Sequence, residues 1–265
     1  MKPLLAILLL TTLASADQAT RLKTFTLGLF AERDGQLKTA RNTFEELLKK
    51  DPSAFPLALK THQTQLRLND ATAATRTLRQ FAETNRTQLP AQLSYANHLE
   101  QTAPHDSLAQ QSALKTLAAA NQNFPHNPAV FTPLINLYET TEQRPDSLAL
   151  FQKQLNHQTE NPAHWLALAP IAETLYPGGS EELAQILNTI YTNAEQTGLA
   201  DPAIARRISE FHRNNNDLSQ AIATLEKHLA ESPASHSLRT RLGLLQRTNA
   251  NDPEGEATLL QVLAI

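Results

Sequence analysis

Large apolar residues recur along this chain in units of about 34 residues, and polar residues fill most of the positions between them. The unit that starts at Pro128 has Phe131, Leu134 and Tyr138 in its first half and Phe151 in its second half. Apolar residues three or four positions apart lie on one face of a helix. The pattern therefore predicts two amphipathic helices joined by a turn in each unit.

Four of the units begin with the same dipeptide, Pro-Ala. It stands at Pro90, Pro128, Pro162 and Pro202, and Asn or Asp precedes three of these prolines. An Asn or Asp oxygen at this place accepts hydrogen bonds from the free amides of the first helical turn. Proline fits that turn because its missing N–H has no partner there. The dipeptides therefore predict four helix starts.

The distances between these starts define the period. Pro128 and Pro162 are 34 residues apart, as are Pro202 and His236, where the next unit would start. Pro90 to Pro128 is 38 residues and Pro162 to Pro202 is 40, and loop insertions at 102–106 and 176–180 explain the excess. In its period and in its packing positions the chain resembles the tetratricopeptide repeat family, and the resemblance covers residues 17–265.

The resemblance implies an all-α fold, a right-handed superhelical solenoid of about seven helix–turn–helix repeats with a concave groove. We expect the repeats at 21–54, 55–89, 90–127, 128–161, 162–201, 202–235 and 236–265. The second repeat keeps an apolar second helix but has a polar first helix, and the second and third repeats match the family pattern poorly. Small residues at positions 8 and 20 should let the two helices of a unit approach closely: Gly28, Ala40, Ala169, Ala221 and Gly243.

The first sixteen residues have the pattern of a secretory signal peptide. Lys2 provides the positive start, a short apolar run covers 4–10, and Ala14-Ser15-Ala16 is typical of a cleavage site. The apolar run is too short to span a bilayer, so we expect export with cleavage near Ala16 and no integral membrane anchor. The expected location is the periplasm or the exterior of the cell.

Composition and charge exclude several classes of function. The chain of 265 residues contains no cysteine, which excludes disulfides and thiol catalysis. Lys and Arg number 23 against 26 Asp and Glu, a net charge of −3. A nucleic-acid-binding protein usually has a basic excess, so we expect no nucleic-acid partner.

No catalytic or cofactor-binding motif occurs in the sequence, and we expect no enzyme activity, no cofactor and no metal site. The nine histidines never stand four residues apart, so solvated or groove-facing histidines are the expectation, although a metal site assembled from separate repeats stays possible. Phe131, Tyr138 and Trp165 fall on packing positions of the repeat. They are therefore expected in the core rather than on a ligand-stacking surface.

The groove is the most informative surface that the resemblance implies, because the first helix of each repeat lines it. In the last two repeats five groove positions hold arginine: Arg206, Arg207, Arg213, Arg241 and Arg247. Guanidinium groups suit carboxylates, including the C-terminus of a peptide. Two interpretations stay open, a site for an acidic or C-terminal peptide segment and a solvated basic face partly neutralised by Glu210.

The chain ends on an apolar stretch, 259–265, without the polar capping helix that usually closes a repeat array. This stretch either packs on the first helix of its own repeat or offers a surface for a partner or a second copy. The sequence predicts an exported scaffold that binds a protein or peptide in its groove within a cell-envelope assembly. The alternative is a non-catalytic repeat subunit that self-associates through its C-terminal end.

Overall fold

The structure is a computed structural model that describes the backbone of residues 3–198, 201–249 and 252–263, and the side chains of 18–197, 201–249 and 253–262. Within these ranges the chain forms fourteen helices and no strand. They are α1 Pro3–Arg33, α2 Leu37–Lys50, α3 Phe55–Arg67, α4 Ala71–Thr84, α5 Leu89–Thr102, α6 Ser107–Asn123, α7 Pro128–Thr140, α8 Arg144–Leu155, α9 Pro162–Leu175, α10 Glu181–Gly198, α11 Pro202–Asn214, α12 Leu218–Glu231, α13 His236–Thr248 and α14 Asp252–Leu263.

The helices form two compact units, Met1–Pro125 with α1 to α6 and His126–Ile265 with α7 to α14. Within each unit every odd-numbered helix packs against the even-numbered helix that follows it. The prediction of an all-α chain of about seven helix–turn–helix repeats is confirmed.

The predicted caps are present at the starts of three first helices. The side chains of Asn127, Asn161 and Asp201 each accept a hydrogen bond from the second residue of the helix that follows, at 2.9, 3.0 and 2.8 Å. Each helix then begins with proline. The start of α5 differs, because its cap residue Gln88 makes no capping bond through its side chain.

One backbone conformation recurs in the turns between paired helices. The residue at position 15 of the repeat has a positive φ in four turns, at Gly35, Asn69, Glu142 and Asn216. Glycine and asparagine adopt this left-handed conformation readily, whereas Glu142 does so with some strain. The shared geometry gives these turns the same path although their sequences differ.

The small residues at positions 8 and 20 lie where the paired helices touch. A Cβ atom on Gly28 would lie 2.7 Å from Cε1 of Phe44, which is fully buried. Ala40 and Ala221 are also fully buried, and Phe131 and Trp165 belong to the core as predicted, whereas Tyr138 is only partly buried. These contacts explain why the repeat requires small residues at fixed places.

The first helix departs from expectation in two ways. It starts at Pro3, so the predicted signal segment and the first helix of the repeat array form one continuous helix, although the side chains of 1–16 lie outside the described residues. Leu27, which stands at the same repeat position as Leu134, is 56% exposed, because Phe25 and Gly28 form the stripe that meets Phe44 on α2. Among the described residues, no helix has both the length and the apolar character needed to cross a membrane.

The polar first helix of the second repeat is not solvated. Four polar residues of α3 are buried: Thr61, His62, Thr64 and Gln65. Buried polar groups require hydrogen-bond partners, since an unpaired one costs about 1–3 kcal/mol. The weak match of this repeat to the apolar pattern therefore reflects a polar core.

Candidate functional site

The predicted binding surface lies on the first helices of the last two repeats, α11 and α13, which contact each other within the second unit. Arg206, Glu210 and Arg213 stand four and three residues apart and therefore share one face of α11. Arg206, Arg207 and Arg213 are all exposed. Three of the five predicted arginines are thus accessible on one helix.

Arg241 on α13 forms an ion pair with Glu210 on α11. Its Nη2 lies 3.0 Å from Oε1 of Glu210, and its side chain is only 22% exposed. The pair joins α13 to α11 and reduces the positive charge between the two helices. Glu210 therefore neutralises part of the basic face, as the second interpretation of the sequence expects.

Two aromatic rings stand beside these charges. Tyr191 of α10 packs on Phe211 of α11 with ring centroids 4.5 Å apart. Burial raises the pKa of Tyr191, and the nearby carboxylates of Glu173 and Glu210 raise it further, while Arg207 lowers it. The phenol therefore stays protonated at neutral pH, and charges of both signs surround it.

Arg247 does not join this group. A Cβ atom on Gly255 of α14 would lie 2.4 Å from Cγ of Arg247, so the stem of this arginine packs against α14. The structure therefore brings together Arg207, Glu210 and Arg241 with the Tyr191 ring, while Arg247 lies on the stripe that meets α14.

The expectation of solvated or groove-facing histidines is wrong for four of them. His62, His98, His164 and His228 are buried rather than solvated or groove-facing. Apolar periodicity does not reveal such residues, because their burial depends on partners in other repeats. Among the described residues, no group of three or more His, Cys, Asp or Glu side chains is arranged to hold a metal ion.

His62 and His98 join the first helices of the second and third repeats through a hydrogen bond of 3.1 Å between Nε2 of His62 and Nδ1 of His98. The other ring nitrogen of His98, Nε2, lies 2.7 Å from Oγ1 of Thr75 on α4. Burial and the neighbouring ring of His98 lower the pKa of His62 to about 4, and burial lowers that of His98.

A second group of histidines lies in the second unit. The rings of His126 and His157 stack with centroids 3.5 Å apart, and His164 packs edge-on at 5.4 Å from His157. Gln154 holds two of them, since its side-chain oxygen is 3.0 Å from Nδ1 of His126 and its carbonyl oxygen is 3.0 Å from Nε2 of His164. Burial and the two neighbouring rings lower the pKa of His157.

One buried polar network occurs twice, once in each unit. Gln65 donates to Glu45 at 3.0 Å and accepts from Thr77 at 2.9 Å. The second copy has the same donors and acceptors: Gln246 donates to Glu226 at 3.5 Å and accepts from Thr258 at 2.8 Å. The two copies occupy equal repeat positions, and this recurrence of Glu, Gln and Thr is the sequence signal that would have found them.

Comparison with known proteins gives the architecture a precedent in solved structures. No protein-family model matches the sequence, and no curated protein matches it as a relative. The C-terminal part of a TPR repeat-containing protein from Cytophaga hutchinsonii matches with a TM-score of 0.52 and 10% identity, over 90% of this chain and 95% of that chain.

Two further solved structures are similar at lower TM-scores. A tetratricopeptide repeat protein from Parabacteroides merdae matches with a TM-score of 0.44 and 12% identity over 93% of each chain. PilF from Pseudomonas aeruginosa matches with a TM-score of 0.45 and 16% identity, over 82% of this chain and 94% of that chain. The likeness to the Cytophaga protein shows a shared fold.

Proposed function

Because this chain has the tetratricopeptide-repeat fold, we propose that it is an exported scaffold that captures a protein or peptide segment and makes no covalent bond with it. The segment is acidic or ends in a free carboxylate, and it binds to the first helices of the last two repeats. The observation that carries the proposal is the set of exposed guanidinium groups on α11, at Arg206, Arg207 and Arg213.

The surroundings of these arginines support a binding role. Arg241 is paired with Glu210, whereas Arg207 is exposed beside the Tyr191 ring, which packs on Phe211. An exposed Arg beside an aromatic surface suits a partner with a carboxylate and a neighbouring apolar side chain. Export to the periplasm or the cell exterior is part of the proposal and rests on the N-terminal pattern at 1–16.

Charge reversal tests the proposal. We expect the double variant Arg206→Glu, Arg207→Glu to lose at least ten-fold in partner recovery when purified chain is used to capture proteins from an envelope fraction. Quantitative mass spectrometry would compare this variant with the wild type. A matched control is the exposed Lys153→Glu on α8, which changes charge in the same unit but not on α11. Equal recovery by the double variant and the wild type would overturn the proposal.

A specific observation favours one alternative, self-association through the last repeat. Leu259 packs on Gly243 of α13, but Leu244 and Leu260 are 53% and 57% exposed. Exposed leucines on adjacent helices can form a contact between copies. Light scattering over a dilution series distinguishes the two functions: a mass that doubles with concentration and reverts to monomer in Leu244→Glu, Leu260→Glu supports self-association.

A further inference from the structure

A cleft of about 710 Å³ opens in the first unit between α2 and α4, with α3 as its floor. Its volume lies within the range of ligand-binding sites. It is lined by residues of all three helices, and those that carry the argument are Glu45, Leu48, Lys49, Thr61, Arg76 and Phe81. The cleft is separate from the arginines of the second unit.

The walls of the cleft carry two uncompensated cations. Lys49 stands on α2 and Arg76 on α4, and both are exposed. Neither forms an ion pair or hydrogen bond with another residue in the described part of the chain. The one carboxylate in the lining, Glu45, is already engaged, because it accepts from Gln65 and lies 3.8 Å from Nε of Arg41. The open charge of the cleft is therefore positive.

The floor of the cleft is closely packed. Phe81 is 4% exposed and Thr61 only 1%, so neither presents much surface to the cleft. Leu48 of α2 lines the same cleft, is only partly buried and provides apolar contact.

We propose that this cleft binds an extended peptide segment in which an acidic side chain stands next to an apolar one. The carboxylate lies between Lys49 and Arg76, and the apolar side chain rests on Leu48. Both walls of the cleft are positively charged and the ligand is negatively charged, which gives the site its specificity for acidic segments.

The experiment uses the full chain and a fluorescein-labelled peptide, acetyl-Ala-Glu-Leu-Glu-Ala-amide, with fluorescence anisotropy as the readout. A twin peptide with Gln in place of Glu measures the charge requirement. We expect the Glu peptide to bind at least ten-fold more tightly than the Gln peptide at low salt, and hydrogen exchange to slow in 37–50 and 71–84. Equal affinity for the two peptides, or slowed exchange only in the second unit, would overturn the proposal.

Variants locate the site. Arg76→Met should weaken binding of the Glu peptide at least five-fold, whereas Arg79→Met, an exposed arginine on the same helix outside the lining, should leave it unchanged. The same loss in Arg76→Met and Arg79→Met would show a diffuse charge effect and contradict the proposal.

Two further outcomes separate this site from other sources of binding. Inorganic phosphate that displaces the peptide at equal concentration would show a small-anion site and overturn the peptide assignment. In Arg206→Glu, Arg207→Glu the peptide should still slow hydrogen exchange in 37–50 and 71–84 as it does in the wild type, because both ranges belong to the first unit. The two proposals can therefore fail independently.

Discussion

The second and seventh repeats contain the same polar network but differ in how their two helices meet. Gln65 and Gln246 each connect a Glu of the preceding repeat with a Thr of their own second helix. At position 8, however, the second repeat has His62 and the seventh has Gly243. The network is thus independent of the size of the residue at the helix crossing.

The difference shows what each position controls. In the seventh repeat Gly243 and Gly255 let α13 and α14 touch through their backbones, since a Cβ on Gly255 would lie 2.7 Å from the carbonyl oxygen of Gly243. In the second repeat His62 stands at the same position and hydrogen-bonds to His98 of the next repeat. Position 8 thus contacts the second helix of its own repeat in one case and the next repeat in the other, while the Glu–Gln–Thr network is the same in both.

The largest expected effect is at the helix crossing of the seventh repeat. Gly255→Val should destabilise α13 and α14 by about 3 kcal/mol, because the new side chain meets backbone atoms that cannot move aside. Hydrogen exchange followed by mass spectrometry measures this loss of stability as faster exchange in 236–248 and 252–263. Gly178→Val is the control, since a Cβ there has no neighbour within 4 Å. Similar exchange rates in both variants would show that Gly255 is not required for the close contact of α13 and α14.

Acidification should destabilise the second repeat through His62. The pKa of His62 is about 4 in the folded chain and about 6.5 in the unfolded chain, so the unfolded chain binds more protons between these values. The stability that neutral His62 contributes is complete above pH 6.5 and is lost as the pH falls toward 4. Between pH 6.5 and 5 we expect a loss of about 2 kcal/mol.

Hydrogen exchange at several pH values, corrected for the intrinsic rate, measures this loss in 55–67 and 89–102. The variant His62→Leu, His98→Leu should remove most of the pH dependence in these helices. A wild-type profile that is flat from pH 6.5 to 5 would show that the buried pair does not control stability.

Gln65→Leu should destabilise the second repeat by about 1.5 kcal/mol. Leucine keeps the volume but removes both hydrogen bonds, which leaves Thr77 and Glu45 without their partner. Urea unfolding monitored by circular dichroism, together with exchange in 37–50 and 71–84, measures the change. A more stable variant would mean that the network is retained for specificity and not for stability.

Gln246→Leu should have the smallest effect, about 0.7 kcal/mol, because only one of its two bonds is short. The Gln246 to Glu226 distance is 3.5 Å, at the limit of a hydrogen bond, whereas Thr258 lies at 2.8 Å. The same unfolding measurement on both Gln variants provides the comparison. A larger loss at Gln246 than at Gln65 would reverse the proposed order.

Much of the fold could be predicted from particular residues. Asn127, Asn161 and Asp201 mark helix starts because a cap acts on the next few amides and needs no distant partner. Gly28 and Phe131 mark packing positions because the period brings them to the same stripe in every repeat. The candidate site was predicted less completely, since the same register placed Arg241 and Arg247 together although one pairs with Glu210 and the other packs on α14.

Local chemistry and a repeating register thus specify the helices, their caps and the small residues at their crossings from the amino-acid order alone. The buried histidine pair, the engaged Glu210 and the cleft above Thr61 arise only when helices from different repeats pack. His62 and His98 are 36 residues apart, and Glu45 and Gln65 are 20 apart. Whether a polar side chain is buried and paired depends on such distant contacts, which the periodicity of apolar residues does not record.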